Sequence, residues 1–291
     1  GRSAPLAEYN PGLLGCAAAE PAPPGWPKLM TISLILTSVA DWIWQSDLQH
    51  ISYRVLPAVA ITLAFGLVAW GLRGVTFSGA VAGSLVTFVI CIVSGPGGFT
   101  VVLTVFVLTL FATRFGLHRK LQGGLAERTD GRGTSQIFAN LGVAGFVSLA
   151  AIAFPRATHL LMIGMTAALC EAAADTVSSE IGQASGRRAY MITGLKSVPA
   201  GANGAISFTG TLSGMIAALV VAFVAVSLDV IFSRWMFTVV FCGVAGMFLD
   251  SVLGATLERP GRLGNDSVNY ISTAFAACVS LGIVLLTLSS R

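Results

Sequence analysis

Three acidic side chains, Glu171, Asp175 and Asp250, fall inside long apolar stretches of this 291-residue sequence. A charged residue at the centre of a membrane helix costs at least about 2.5 kcal/mol, and such residues commonly mark functional sites. Glu171 and Asp175 are four residues apart, so they lie about 40° apart on one face of a helix. Glu180 lies on roughly the opposite side. We expect either a second partner for Glu180 or an unwound turn near Gly182.

Carboxylates at similar depth on separate helices are typical of a site for a hard divalent cation. Mg²⁺ takes oxygen ligands, keeps several waters, and commonly uses one or two carboxylates together with substrate phosphates. We therefore predict Asp175 and Asp250 as the metal ligands, with Asp266 and Glu171 as further ligands and Glu180 in support. The alternative is that these acids pair with arginines or cap helices.

Two segments have the residue types that bind phosphate. The first, residues 131–134, reads Gly-Arg-Gly-Thr and precedes an apolar stretch, with Thr134 as the predicted N-cap. Free N–H groups at a helix start, next to an arginine, bind anions. Arg132, Gln136 and Asn140 recur every four residues and form one polar stripe.

The second segment, residues 193–204, contains three glycines and Lys196. Glycines permit close backbone approach to a ligand, and the lysine supplies a mobile positive charge. The order of residues is not that of a Walker A loop. Taken alone, the segment could be an ordinary connector; beside buried acids, it predicts a phosphate contact.

Acids for a cation, basic residues and Gly-rich turns together indicate phosphoryl transfer at a membrane surface. That chemistry needs positioning and charge neutralisation rather than a covalent nucleophile. We predict four catalytic residues, namely Asp175, Asp250, Lys196 and Arg132. The predicted substrate-binding and nucleotide-binding residues are Glu180, Gln136, Asn140, Ser197, Gly201, Asn203, Gly204, Ser251, Asn265 and Asn269.

The elements that carry these residues are membrane helices. The chain is 55% hydrophobic and only 10% charged, with mean hydropathy +0.82, whereas soluble domains are about 25% charged. The fold class is therefore all-α, a polytopic membrane helix bundle. The net charge of +4 fits loops that contact anionic headgroups better than a nucleic-acid surface, so no nucleic-acid partner is predicted.

Eight apolar stretches are long enough to cross a hydrocarbon core about 30 Å thick. They cover roughly 53–70, 75–94, 97–115, 134–154, 158–182, 209–228, 233–257 and 267–288. Residues 29–44 are a ninth candidate, either a poor span or an interfacial helix. We divide the chain into an irregular N-terminal extension, residues 1–50, and a helical membrane domain, residues 51–291.

Basic residues predict the orientation of the bundle. The loops after the first, third, fifth and seventh stretches hold eleven Lys or Arg residues, and the other side holds four. The positive-inside rule therefore puts the long loops, and the predicted site, on the cytoplasmic side. Pairs of glycines within the stretches predict close helix packing: Gly79 and Gly83, Gly142 and Gly145, Gly210 and Gly214, Gly243 and Gly246.

Several motifs in a fixed order resemble one known family. They lie at residues 72–83, 97–99, 135–140, 174–182, 198–204, 250–255 and 265–269. From about Leu72 to its end, the chain resembles the integral-membrane proteins typified by plant plastid phytyl-phosphate kinase and animal transmembrane protein nineteen. The resemblance implies conversion of an isoprenoid monophosphate lipid, such as phytyl phosphate, to the diphosphate with a nucleoside triphosphate and Mg²⁺.

A fainter similarity links Asp175, Gly182 and the Lys196-Ser197 pair to CTP-dependent dolichol and phytol kinases and to CDP-diacylglycerol synthases. The Glu-Gly that follows the Lys-Ser pair in those enzymes is absent, so the donor is CTP or another nucleoside triphosphate. The resemblance implies a bacterial inner membrane or a plastid-type membrane. The alternative functions are a transporter or lipid translocator that uses its intramembrane carboxylates, and a structural partner protein.

Overall fold

The computed structural model describes residues 51–122, 124, 131–186 and 188–290. The predictions for residues 1–50, including the ninth candidate span at 29–44, lie outside the described residues. Everything below concerns the described part of the chain.

The prediction of a polytopic helical bundle is confirmed. Within the described ranges, seven helices are long and apolar enough to cross a membrane. They are α1 (Ile51–Gly71), α2 (Phe77–Arg114), α4 (Thr134–Ala153), α5 (Thr158–Ala184), α6 (Phe208–Ser227), α7 (Met236–Leu253) and α8 (Asn265–Ser289). A short helix, α3 (Leu117–Gln122), follows α2. All eight predicted apolar stretches lie in or beside these seven helices.

Helix α2 contains two of the predicted stretches, since it folds back on itself. Straight, its 38 residues would extend about 57 Å, almost twice the thickness of a hydrocarbon core. Gly95 has φ 64° and ψ −158° and is followed by Pro96, which together interrupt the helix. Arg114, at its end, donates to the carbonyl of Leu72, just before its start. The helix is therefore a hairpin of two arms.

Helix α1 packs against both arms of this hairpin. Ser84, on the first arm, donates to the carbonyl of Thr62 at 3.1 Å. The ring of Phe65 meets Phe99 and Phe106, on the second arm, edge to face with centroid distances of 5.6 and 5.2 Å. The three segments together form one wall of the bundle.

Helix α5 is the centre of the bundle. In its most apolar window, 83% of the residues are buried, compared with 28–50% for the other candidate spans. It contacts α2, α4, α6, α7 and α8. Small residues permit this close packing, and a Cβ atom added to Gly214 or Gly243 would overlap α5. The predicted acids Glu171 and Asp175 thus lie on the most enclosed helix.

The connection between α5 and α6 forms a small antiparallel sheet that the sequence analysis did not predict. Its strands are β1 (Ala189–Met191), β2 (Ser197–Val198) and β3 (Ala205–Ile206), in the order β2-β1-β3. Tyr190 pairs with both Ser197 and Ile206. The strands are too short to show an alternating pattern of polar and apolar residues, so the sequence carries no strand signal here.

The connections after α1, α2, α5 and α7 gather at one end of the bundle. Val75 and Arg132 form a parallel β-bridge. Helix α7 ends in a π-helical turn, Gly254–Glu258, and Gly204 lies so close to Ala255 that a side chain at position 204 would overlap its backbone. These are the loops that were grouped on one side by their basic residues. That this end faces the cytoplasm stays a prediction.

Candidate functional site

A cavity of about 340 Å³ opens at this end, bounded by α1, both arms of α2, α4, α5 and α8. Four basic side chains line it: Arg73, Arg114, Lys120 and Arg132. Two acidic ones do so as well, Asp175 and Glu180. Seven predicted site residues therefore meet around one space: Arg132, Gln136, Asn140, Asp175, Glu180, Asn265 and Asn269.

Arg132 is held by its backbone and reaches α5 with its side chain. Its N–H donates to the carbonyl of Gly74 at 3.1 Å, and its carbonyl accepts from the N–H of Thr76 at 3.0 Å. Its guanidinium donates to the hydroxyl of Thr176 at 3.4 Å. The arginine therefore joins the α1–α2 connection, the start of α4 and the central helix.

The polar stripe on α4 lines the cavity, but the cap of the helix differs from the prediction. Gly133 is the N-cap residue and Thr134 is the first helical residue, so the predicted N-cap is wrong by one position. The side-chain oxygen of Gln136 accepts from the N–H of Gly133 at 3.1 Å. Asn140 donates to the carbonyl of Gln136 at 2.8 Å, which leaves its amide oxygen for other donors.

Asp175 on α5 and Asp250 on α7 lie close enough to interact directly, although 75 positions separate them in the sequence. Ser272 on α8 donates to Asp250 Oδ2 at 3.3 Å. With its amide turned to suit its neighbours, Asn269 donates to the same oxygen at 3.2 Å and to the carbonyl of Asn265 at 3.1 Å. Three helices thus contribute to one polar network beside the cavity.

Asp175 lines the cavity, whereas Asp250 and Glu171 do not. The Glu171 side chain is 1% exposed, next to Gly246, where a Cβ atom would overlap it. It interacts electrostatically with Asp175 and Asp250. One of its oxygens, Oε1, has no hydrogen-bond partner among the described residues. The four-residue spacing therefore brought Glu171 near the pair, but not to the same space.

The donor set fits the predicted magnesium ion only in part. Among the residues that the structure describes, no three His, Cys, Asp or Glu side chains are grouped so that they could hold a metal ion by themselves. Asp266 lies in the first turn of α8 and does not line the cavity. Two adjacent carboxylates, with amide groups nearby, suit Mg²⁺ when waters or phosphate oxygens supply the remaining ligands.

For Glu180 we expected either a second partner or an unwound turn near Gly182, and the structure shows the partner. Helix α5 stays helical to Ala184, and Lys120 donates to Glu180 Oε2 at 2.5 Å. Lys120 also donates to the carbonyls of Thr113 at 2.7 Å and Ala112 at 3.4 Å. The sequence analysis counted Lys120 only as a loop charge, because nothing in the sequence indicates that α3 turns it back towards the bundle.

The Gly-rich connection between α5 and α6 lies outside the cavity lining. Lys196, Ser197, Gly201 and Asn203 are exposed and belong to the small sheet and its turns. Two other predicted binding residues serve local contacts: Gly204 packs against Ala255, and Ser251 donates to the carbonyl of Met247. None of these six residues lines the cavity that Asp175 lines, and their predicted roles stay predictions.

Residues 60–277 match the family described as integral membrane protein DUF92. The chain belongs to this family. The matched range includes every predicted catalytic residue and most of the cavity wall. The family resemblance predicted from the ordered motifs is thereby confirmed.

Three relatives of this DUF92 protein are themselves membrane or organellar proteins. This chain is 35% identical to an uncharacterized membrane protein of Synechocystis sp. over 193 residues. The aligned region covers 65% of this chain and 74% of the relative. The chain is 31% identical over 215 residues to the chloroplastic protein VTE6 of Arabidopsis thaliana, which covers 72% of this chain but only 65% of VTE6.

An uncharacterized membrane protein of Methanocaldococcus jannaschii is 28% identical over 243 residues, which cover 81% of this chain and 96% of the relative. No solved structure matches the chain significantly.

The cavity also contains residues that the sequence analysis missed as site residues. Arg73 and Arg114 line it and flank α2, one before its start and one at its end. Their only sequence signal was the positive-inside asymmetry, which says on which side a charge lies but not which loops meet. The hairpin in α2 brings the two arginines to one mouth.

Proposed function

We propose that this protein is an isoprenoid-monophosphate kinase of the membrane. The terminal phosphoryl group of a nucleoside triphosphate passes to the phosphate of a lipid such as phytyl phosphate. An oxygen of the lipid phosphate bonds to the γ-phosphorus, the bond from that phosphorus to the β-phosphate oxygen breaks, and the nucleoside diphosphate leaves. The products are an isoprenoid diphosphate and the nucleoside diphosphate.

The observation that carries the proposal is the amphiphilic cavity. Its mouth has four basic and two acidic side chains, while its inner wall contains apolar residues such as Phe65, Val102, Val105, Phe106 and Leu141. A phosphorylated lipid has the same division, with an anionic head and an apolar tail. A positively charged mouth raises the local concentration of anions.

Roles for the cavity residues follow from their positions. Arg132 would bind a phosphate, because a guanidinium matches phosphate oxygens with several donors. The amides of Asn140, Asn265 and Asn269 would orient oxygens. The lipid phosphate is already an anion, so the reaction needs no strong general base.

Asp175 and Asp250 would hold Mg²⁺, with the phosphates and waters as its other ligands. When bound, the ion neutralises charge on the phosphoryl group that is transferred. Asn269 and Ser272 keep Asp250 oriented through their hydrogen bonds to its Oδ2. In the same proposal, Glu171 and Asp266 remain nearby acids without direct contact with the ligand.

Family and location support the same function. The resemblance to the family of plastid phytyl-phosphate kinase agrees with similarity to a chloroplastic relative over 72% of this chain. The protein is an integral membrane protein, and we place the mouth of the cavity on the cytoplasmic side of a bacterial inner membrane or the equivalent side of a plastid membrane. The donor is CTP or another nucleoside triphosphate.

A transporter would use the intramembrane acids differently. Carriers place their sites near the middle of the membrane, commonly between internal repeats, whereas the charged residues of this cavity gather at one end. Uptake of an isoprenoid phosphate into proteoliposomes without any nucleotide turnover would favour the transporter and overturn the kinase.

The direct test is an assay of the purified protein in detergent or nanodiscs. Phytyl, farnesyl and geranylgeranyl monophosphate are each incubated with Mg²⁺ and with CTP, ATP, GTP or UTP, and the products are analysed by mass spectrometry. We expect isoprenoid diphosphate with at least one donor. No diphosphate from any of the twelve combinations, with protein that still binds the lipid phosphate, would overturn the proposal.

A further inference from the structure

The first arm of α2 presents an unusually open face to the cavity. Gly79, Ala80, Gly83 and Ser84 lie on that face and line the space. Gly79 packs against the backbone of Arg132, and Ala80 and Ser84 carry side chains and are buried. Gly83 differs, because a Cβ atom added there would meet nothing within 4 Å. The open space beside Gly83 is therefore part of the cavity and not of a helix interface.

A second, independent observation comes from Thr87, one turn further along the same face. Thr87 is 0% exposed and lines the cavity, yet its hydroxyl has no hydrogen-bond partner among the described residues. A threonine inside a helix commonly donates to the carbonyl four residues earlier. Other helical threonines in this chain do so, namely Thr62, Thr100, Thr104, Thr166 and Thr287.

The free hydroxyl has a physical consequence. A buried polar group without a partner is costly, so the Thr87 hydroxyl must bond to water or to a ligand inside the cavity. A ligand that enters the cavity as far as Thr87 would therefore meet an unsatisfied hydroxyl on its wall. From Gly79 to Thr87 the helix rises roughly 12 Å, and residues of α2 line the cavity over this whole distance.

The surroundings of this deep part are apolar. Phe65 on α1, Val102 and Phe106 on the second arm and Leu141 on α4 line it, and the rings of Phe65 and Phe106 pack edge to face at 5.2 Å. Above it, the basic mouth includes Arg73, Arg114 and Arg132. An anionic head bound at the mouth would point its tail along the open face of α2.

We infer that the part of the cavity beside the first arm of α2, lined by Phe65, Val102, Phe106 and Leu141, is the binding pocket for the substrate's hydrocarbon tail, and that Gly83 sets how large a tail it admits. The occupant is the isoprenoid tail of the lipid monophosphate named above, so this inference rests on the proposed function for its ligand. It goes further by assigning the tail to one set of residues, which the sequence motifs did not indicate.

The test replaces Gly83 by leucine and measures binding without nucleotide. Purified full-length protein in detergent binds radiolabelled geranylgeranyl monophosphate, and unlabelled geranylgeranyl or dimethylallyl monophosphate displaces it. The leucine side chain fills the pocket, so we expect Gly83→Leu to weaken binding of the long-tail lipid by at least about tenfold. Binding of the short dimethylallyl compound, whose tail ends near the mouth, stays within about twofold of native.

Gly282→Leu is the matched control. Gly282 also lies in a membrane helix, α8, with nothing within 4 Å of an added Cβ atom, but it does not line the cavity. We expect native binding from this variant. Gly83→Ala, with a smaller side chain, should give a weaker effect in the same direction as Gly83→Leu. Native affinity of Gly83→Leu for the long-tail lipid would overturn the inference.

Thr87→Val adds a measurement that keeps the volume of the side chain and removes its hydroxyl. A hydrocarbon tail that covers the native Thr87 hydroxyl prevents it from hydrogen-bonding to water, which weakens tail binding. Valine has no hydroxyl and avoids this cost, so we expect the affinity of the variant for the long-tail lipid to rise by roughly fivefold. A fall in affinity would mean that a polar group occupies the pocket, and would overturn the assignment of the tail.

The outcomes separate this inference from the proposed kinase activity. Native protein that binds geranylgeranyl monophosphate in a Gly83-dependent way, but yields no diphosphate with any nucleotide, refutes the kinase and supports the tail pocket. Turnover of the long-tail lipid at native rates by Gly83→Leu supports the kinase and refutes the pocket. Native protein that binds no isoprenoid monophosphate refutes both.

Discussion

The ammonium of Lys120 lies 2.5 Å from Glu180 Oε2 although the lysine side chain is only 1% exposed. The carbonyls of Ala112 and Thr113 take its other hydrogen bonds. The pair fastens α3 and the end of α2 to the central helix α5, directly beside the mouth of the cavity. A lysine this deeply buried is stable as a charged group only while such partners remain.

Replacing Glu180 by glutamine should destabilise the protein by about 3 kcal/mol, because removing one partner leaves a buried charge without compensation. Thermal or denaturant unfolding of the variant in detergent measures the change. The double variant Lys120→Met with Glu180→Gln removes the charge as well and should be more stable than Glu180→Gln alone. Arg119→Met, at an exposed neighbouring position, is the control. Equal stability of native protein and Glu180→Gln would contradict the role of the pair.

Asp175→Asn and Asp250→Asn should each lower kcat/KM for diphosphate formation on the order of 100-fold or more, since each removes a carboxylate that would hold Mg²⁺ against the phosphates. Expression level and melting temperature check that the variants still fold. Asp229→Asn is the matched control: Asp229 is exposed near the opposite end of the bundle, and its φ of 53° is one that asparagine tolerates. Unchanged turnover in both site variants would remove the metal assignment.

Removal of divalent cations should abolish turnover, and added Mg²⁺ should restore it. In a separate binding experiment, Mn²⁺ bound to the native protein with lipid phosphate present should give an electron paramagnetic resonance signal that Asp175→Asn loses. The substrate is needed because the described residues contain no group of three metal-binding side chains, and Mg²⁺-type sites complete their shell with phosphates and water. Full activity in excess chelator would be the contrary result.

Arg132→Gln should raise KM for the phosphate substrates by about 10- to 100-fold, the effect of losing a hydrogen bond to a charged group. Lys196→Gln should raise it less, because Lys196 is exposed and outside the cavity lining. Steady-state kinetics on the two variants side by side decide the order. If Arg132→Gln leaves KM unchanged and Lys196→Gln is inactive, the phosphate site lies at the Gly-rich connection instead.

Gly243→Ala should destabilise the bundle by about 1–3 kcal/mol, because the added methyl group would overlap Cys170 on α5 and overpacking has costs of that size. Gly142→Ala is the comparison, since its methyl group would make only ordinary contacts with Phe138 and Tyr270. Unfolding in detergent measures both. Equal effects would mean that the contact between α5 and α7 is looser than described.

Sequence was sufficient for the helical class and the spans, because lipid exposure forces long apolar runs and internally satisfied backbones. It even separated the two arms of α2, since Gly95 and Pro96 interrupt the apolar run. Glycine pairs were a less certain guide. Gly243 and Gly246 do pack against α5, but Gly83 faces the cavity, and composition alone cannot tell a helix interface from an empty space.

The polar site was predictable in its parts and not in its assembly. The period of a helix indicated that Arg132, Gln136 and Asn140 share a face, and all three line the cavity. It could not indicate that α3 turns Lys120 towards Glu180, or that Lys196 lies beside a small sheet and outside the cavity lining. Such relations depend on turn geometry in the connections, which a pattern of apolar residues does not encode.

Helix α5 is enclosed by five other membrane helices, and the outer helices are less enclosed. Asp175 and Thr176 belong to a helix that neighbours hold in place, whereas α1 contacts chiefly α2 and faces the surroundings with most of its surface. Substitutions on the outer helices can therefore reshape the pocket for the hydrocarbon tail without moving the polar groups on α5. Related proteins would then be able to diverge in the lipids they accept without rebuilding their chemistry.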